Sequence, residues 1–174
     1  MRPDYNQVLD DLNLSSVLSA HEYAVIGTPP LMIDVENSDI DIACFADEPG
    51  EITKCLRENY GHLEHFIEEN HPSTLYQTQV VSFETQEWQV EFFIQNQPLD
   101  QQNGVRHFFI EKRLLNLFGP TFRQSVIALK KQGIKTEPAF AKLLGVVGAP
   151  YINLLKLDRF SDNQLCYIYL TPEK

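Results

Sequence analysis

"ENSDIDIACF" (residues 36–45) places two carboxylates, Asp39 and Asp41, on either side of Ile40 and then runs into Ile42, Ala43, Cys44 and Phe45. A short apolar run bounded by polar residues predicts a strand entering a core. Side chains at i and i+2 of a strand share a face. Asp39 and Asp41 are therefore expected to project together, with Ile40 and Ile42 on the other side. Two like charges held side by side repel each other and lose hydration. A divalent cation removes the objection: Mg²⁺, or Mn²⁺ in its place, takes hard oxygen ligands, commonly one or two carboxylates completed by water and substrate phosphates.

A third acid fits the same pattern. In "EWQVEFFI" (87–94) Trp88, Val90, Phe92 and Ile94 alternate onto one face, while Glu87, Gln89 and Glu91 take the other. If that strand lies beside 39–45, Glu91 joins the aspartates. Upstream, "EYAVIG" reads as a strand stopped by Gly27, followed by Thr28. A glycine there lets a phosphate approach the backbone, and the Thr28 and Ser38 hydroxyls can donate to it.

The remaining first half supplies a helix over 6–20, a Pro-interrupted connection at 28–37, a helix in "DEPGEITKCLRENYG" ending at Gly61, and strands around 62–68 and 75–83. From residue 105 helices dominate. "VRHFFIEKRLLNLF" is stopped by Gly119-Pro120, "PTFRQSVIALKKQ" by Gly133, "TEPAFAKLL" has Thr136 as its expected N-cap, and "APYINLLKLD" is a fourth. "LCYIYL" reads as a late strand or a docking tail. The expectation is a single α/β (α+β) domain over 1–174. A mixed sheet would occupy 1–104, and 105–174 would be a helical extension packed on it.

Charge is divided in the same way. Residues 1–104 hold 19 acidic and 3 basic side chains, and residues 105–159 hold 10 basic and 3 acidic, within a net charge of −10. Arg106 and Arg113, two turns apart, are the candidates for bidentate phosphate contact. His107 stands beside them, and Lys130, Lys131 and Lys135 form the densest basic cluster. The acidic remainder argues against broad nucleic-acid binding. No run approaches the roughly 18 apolar residues of a membrane span. The start "MRPDYNQVLDD" lacks a signal pattern and is read as that of a cytoplasmic protein. Three cysteines without a CxxC pair imply neither a disulfide framework nor a cysteine zinc site. A calcium loop starting at Asp34 fails, because Asp39 stands where the sharp turn needs Gly and Phe45 where Glu is needed. His62, His65 and His71 have no recognised zinc spacing, and nothing beyond paired carboxylates supports a sugar site.

Gly27-Thr28, a connection, Asp39-Ile40-Asp41 and then Glu91 resemble the nucleotidyltransferase superfamily, whose pattern is an apolar strand, Gly-Gly or Gly-Ser, an acid–apolar–acid strand and a third acid on a later strand. The resemblance covers about residues 22–95. "GTPPLMID", "SDIDIAC", "RHFFIEKRLL" and "KKQGIKTEPAFAKLLG" further resemble a narrower, uncharacterised bacterial family of nucleotidyltransferase-like proteins. The resemblance implies that Asp39 and Asp41 bind metal and that Glu91 is the third ligand or the base for an acceptor hydroxyl. It implies that Gly27 and Thr28 cradle the phosphates of a nucleoside triphosphate. The acceptor it leaves open: a small antibiotic-like molecule, another protein or an RNA end. Thr28 stands where Ser or Gly is usual, Pro29-Pro30 follow it, and Asp34 and Glu36 add negative charge. The prolines fit an alternative, a member that binds a nucleotide or a protein partner without turnover, of a regulatory or toxin–antitoxin kind.

Overall fold

The computed structural model of the chain describes residues 2–72 and 77–170. They form two compact units. One comprises the residues up to Pro30 with Ser38–Val105, the other Leu31–Asn37 with the residues from Arg106 onward.

The first unit is built on a mixed five-stranded sheet. Its strands are β1 (Glu22–Ile26), β2 (Ile40–Phe45), β3 (Glu64–Pro72), β4 (Gln77–Thr85) and β5 (Trp88–Gln95), in the order β1-β2-β5-β4-β3. Only the β2–β5 pair is parallel. Of the strand expected around 75–83, residues 75 and 76 lie outside the described residues. The alternation in β5 is realised in full, with Trp88, Val90, Phe92 and Ile94 buried and the residues between them more open. β2 lies between β1 and β5, and its stretch 42–44 is buried on both faces, which is why it is apolar without alternation. β4 and β5 are joined by a two-residue turn in which Gln86 and Glu87 both have positive φ, 51° and 65°. That is the backbone of the hairpin turn usually filled by Asn-Gly.

One face of the sheet carries the core. Ile40, Ile42 and Cys44 of β2 and the four apolar side chains of β5 pack with Val81 and Phe83. Helix α3 (Pro49–Tyr60) adds Ile52, Leu56 and Tyr60 to the same cluster at near-helical intervals. Each such side chain contributes about 1.5–3 kcal/mol by burial. The helix expected over 6–20 is broken. α1 (Tyr5–Asp11) and α2 (Leu14–Val17) are separated by Asn13 in the left-handed conformation, φ 50° and ψ 37°. Asparagine tolerates that region, and Val8, Leu14 and Leu18 still reach the core.

The second unit is helical. α4 (Asn103–Lys131), whose first residues belong to the sheet unit, is broken at Gly119, φ 73° and ψ −162°, and Pro120 opens its second segment. Proline suits a first helical turn because its missing N–H would have no partner there. α5 (Thr136–Leu144) follows, then α6 (Pro150–Lys156) and α7 (Asp162–Leu170). Thr136 is not the N-cap expected of it. Lys135 occupies the N-cap position without a side-chain capping hydrogen bond, and Thr136 is the first helical residue, accepting a hydrogen bond from Lys130 Nζ at 2.9 Å. The stretch 165–170 is helix rather than strand or tail. Ser161 and Gln164 form the reciprocal start of α7: Gln164 Oε1 accepts from the Ser161 amide at 2.9 Å, and the Gln164 amide points at Ser161 Oγ at 3.4 Å. Leu165 is buried, and one turn later Tyr169 stacks on Phe118 with ring centroids 4.5 Å apart.

Candidate functional site

The face of the sheet opposite the core carries the acids. Because Ile40, Ile42 and Cys44 face the core, Asp41 falls on the other face, and Asp39 just ahead of the strand shares its parity. In β5 the same rule puts Glu91 opposite Val90 and Phe92. The parallel register pairs Asp41 directly with Glu91, so the two carboxylates are neighbours on adjacent strands. One carboxylate oxygen each from Asp39, Asp41 and Glu91 can be chosen so that all three lie within 4.8 Å of one another. All three residues are half-buried. Gln89, two residues before Glu91 on the same face, donates from Nε2 to Glu91 Oε1 at 2.7 Å. The alternation of 87–94 that locates Glu91 also locates Gln89 as its same-face neighbour and is the sequence signal for this positioning group.

The turn after β1 closes on this cluster. Ile26 pairs with Asp41 across the antiparallel β1–β2 ladder, which brings Gly27 against the Asp41 side chain. Gly27 has φ +75°, and a Cβ built on it would collide with Asp41 Oδ2. Only glycine fits the position, for both backbone and space. Thr28 Oγ1 donates to Ser38 Oγ at 3.1 Å, tying the turn to the residue that precedes the aspartates. Ser38 is buried, and its carbonyl accepts from Arg2 Nη1 at 2.9 Å. The Arg2 guanidinium in turn stacks on Trp88, 3.4 Å from the ring centroid. Gly27, Thr28, Ser38, Asp39, Asp41 and Glu91 are thus gathered by one sheet edge-to-centre arrangement of β1, β2 and β5.

The expected arginines belong to the second unit. Arg113 is engaged there, 2.7 Å from Asp162 and donating to the Phe160 carbonyl at 2.7 Å. Arg106 opens that unit on α4. An all-oxygen donor set of carboxylates suits Mg²⁺ or Mn²⁺ better than softer ions.

Residues 7–157 match the family model of a domain of unknown function, DUF4269. The chain belongs to the DUF4269 family. No curated protein matches this DUF4269 chain in sequence. Its fold is similar to that of the Cid1 poly(U) polymerase in a MgGTP-bound structure, with TM-score 0.57, 13% identity, and 84% of this chain and 51% of that one covered. A structure of Cid1 bearing on its RNA terminal uridylyl transferase activity gives TM-score 0.59, 13% identity and coverages of 84% and 50%. A cytoplasmic RNA terminal U-transferase gives 0.55, 14%, and 84% and 48%. The DUF4269 chain spans about half the length of these proteins, and at such identities the likeness is one of fold: the nucleotidyltransferase-like α/β fold. Among the described residues no helix is long and apolar enough to cross a membrane.

Proposed function

We propose that the protein is a divalent-metal-dependent nucleotidyltransferase that moves a nucleoside monophosphate from a nucleoside triphosphate to a hydroxyl acceptor. The observation that carries the reading is the approach of the Asp39, Asp41 and Glu91 oxygens beside the Gly27-Thr28 turn. Three carboxylates that meet on a sheet face, away from the core, cost stability unless a cation compensates them. In this reading Asp39 and Asp41 hold Mg²⁺ or Mn²⁺. Bound there, the metal supplies neutralisation of the phosphate charge and of the leaving pyrophosphate. Gly27 leaves room for the triphosphate, and Thr28 and Ser38 offer hydroxyls to its oxygens. Glu91, oriented by Gln89, completes the metal site or takes the acceptor's proton. The acceptor oxygen bonds to the α-phosphorus, the α–β bridging P–O bond breaks, and pyrophosphate carries away the electron pair.

The structurally similar Cid1 poly(U) polymerase is seen with MgGTP bound and has RNA terminal uridylyl transferase activity, which supports a nucleoside triphosphate as the donor here. One observation favours a second reading, binding without turnover. Pro29 and Pro30 form a 3₁₀ turn directly after Gly27-Thr28 and remove two backbone N–H donors where a phosphate would seek them. Calorimetric titration of ATP, GTP, CTP and UTP, with and without Mg²⁺, separates the cases. The proposal expects Mg²⁺-dependent binding of at least one nucleotide by the wild type and its loss in Asp39→Asn/Asp41→Asn. No binding of any of the four sinks it. Binding without pyrophosphate release across an acceptor screen favours the second reading.

A further inference from the structure

A second polar cluster lies in the helical unit. His107 and Glu111 stand four residues apart on α4 and so share one helix face. Glu137 enters from the first turn of α5. One ligand atom from each lies within 4.8 Å of the other two. Zinc-type bonds of about 2.0–2.2 Å place two ligands of one ion up to about 4.4 Å apart, so a small side-chain rotation would bring all three onto a common ion.

Burial sets this cluster apart from a solvated acidic patch. Glu111 is 4% exposed and His107 8%. His107 Nδ1 is the buried side-chain nitrogen or oxygen that, among the described residues, has no hydrogen-bond partner. A ring nitrogen enclosed by protein and given nothing to bind is a costly arrangement. The Tyr151 backbone acts on the ring as a hydrogen-bond partner in the sense that favours a ring N–H. With Nδ1 unpartnered, that bond falls to Nε2, and an Nε2–H donor leaves the Nδ1 lone pair bare. A backbone carbonyl that fixes the tautomer from behind is the usual support of a metal-bound histidine. Burial also favours the neutral ring, and it raises Glu111 well above the ordinary carboxylate range, with Glu137 adding to the rise. Lys130 and Arg106 are nearby positive charges, the first acting on Glu111 and the second on the His107 ring, and Lys130 Nζ also donates to Thr136. Neither supplies a partner to Nδ1.

We propose that His107, Glu111 and Glu137 form a second metal site, one that takes a first-row divalent transition ion of the zinc type through one imidazole nitrogen and two carboxylate oxygens. The imidazole is what separates this site from the all-oxygen cluster on the sheet, since imidazole selects zinc, iron, nickel or copper over magnesium. Three protein ligands leave a coordination position open.

The test uses Zn²⁺ alone, on the full chain carrying Asp39→Asn/Asp41→Asn, so that its failure is independent of any failure of the nucleotide hypothesis. Equilibrium dialysis with elemental analysis is expected to find one zinc bound per chain. Adding Glu111→Gln, which keeps the side-chain shape, is expected to weaken that binding about tenfold or more, and Glu137→Gln to weaken it in the same sense. A readout without mutation of the cluster guards against misfolding. The chain has five histidines, and none but His107 is buried. In imidazole ¹⁵N spectra the His107 Nδ1 signal is expected to move with the first equivalent of zinc, ahead of the other four rings. The proposal is overturned if the double variant binds no zinc, if Glu111→Gln leaves zinc affinity unchanged, or if the first equivalent leaves the His107 ring unmoved.

Discussion

Replacing Gly27 with alanine perturbs the candidate site through a single methyl group. At φ +75° an L-residue costs about 1–2 kcal/mol relative to glycine. The new Cβ also meets the Asp41 carboxylate, which must withdraw by roughly 1 Å to reach ordinary van der Waals separation. A displacement of that size exceeds by several-fold the roughly 0.2 Å tolerance of a metal–ligand bond. The expected outcome has two parts. Urea denaturation in EDTA should show a loss of about 1–3 kcal/mol, which for a chain of this length corresponds to roughly 2–10 °C in melting temperature. Mn²⁺ affinity, read by electron paramagnetic resonance of the free ion, should fall about tenfold or more, since a misplaced carboxylate loses at least 1.4 kcal/mol of its interaction. A double-mutant cycle isolates the steric part. In an Asp41→Ala background the carboxylate is gone and only the tight contact with the residue 41 Cβ, at 3.2 Å, remains, so Gly27→Ala should cost the backbone strain and little more. If Gly27→Ala keeps wild-type stability and wild-type Mn²⁺ affinity, the reasoning that Gly27 exists to make room for Asp41 is refuted.

Three further outcomes follow from the packing of the sheet unit. Cys44 is fully buried and its thiol is pushed up to about 12 by burial; a thiol reagent at pH 8 should modify Cys55 and Cys166 in the native protein and reach Cys44 only on unfolding. Tyr60 donates its hydroxyl to the Leu12 carbonyl at 2.9 Å; Tyr60→Phe should cost about 1–2 kcal/mol in urea denaturation, and an unchanged midpoint would contradict the bond's role. The Arg57 guanidinium, bonded to Glu68, holds that carboxyl below its ordinary range. A depressed carboxyl contributes stability above its unfolded pKa and loses it as pH falls through the folded value. Arg57→Gln should therefore lower stability at neutral pH, with the variant and wild-type curves converging below the ordinary glutamate range; a gap that persists in acid would contradict it.

The strands that build the site were the most legible part of the chain. The two-residue period of Trp88, Val90, Phe92 and Ile94 and the apolar run after Asp41 are local signals, and burial enforces them. What no local signal carries is register. A one-residue slip of β5 would send Glu91 to the core face and its apolar neighbours to the opposite face, so the placement of Glu91 beside Asp41 depends on tertiary pairing. Breaks were hard to read for a related reason. Asn13 and the Gln86-Glu87 turn adopt positive φ without glycine, because the packing of their flanking elements outweighs a modest local preference. At the C-terminal end, Leu165, Tyr167 and Tyr169 alternate like a strand, but Ser161 and Gln164 carry a helix-start signature that decides the matter. The cluster of His107, Glu111 and Glu137 was visible only in part: the four-residue spacing is in the sequence, whereas Glu137 arrives by helix packing.

The most direct test of the central claim is a crystal structure with Mn²⁺ and a non-hydrolysable nucleoside triphosphate, with the ion located by its anomalous scattering. The nucleotidyltransferase reading predicts a Mn²⁺ peak about 2 Å from oxygens of both Asp39 and Asp41, shared with a phosphate oxygen of a nucleotide lying against Gly27 and Thr28. Nucleotide bound elsewhere, or Mn²⁺ absent from the carboxylates at saturating nucleotide, would contradict it.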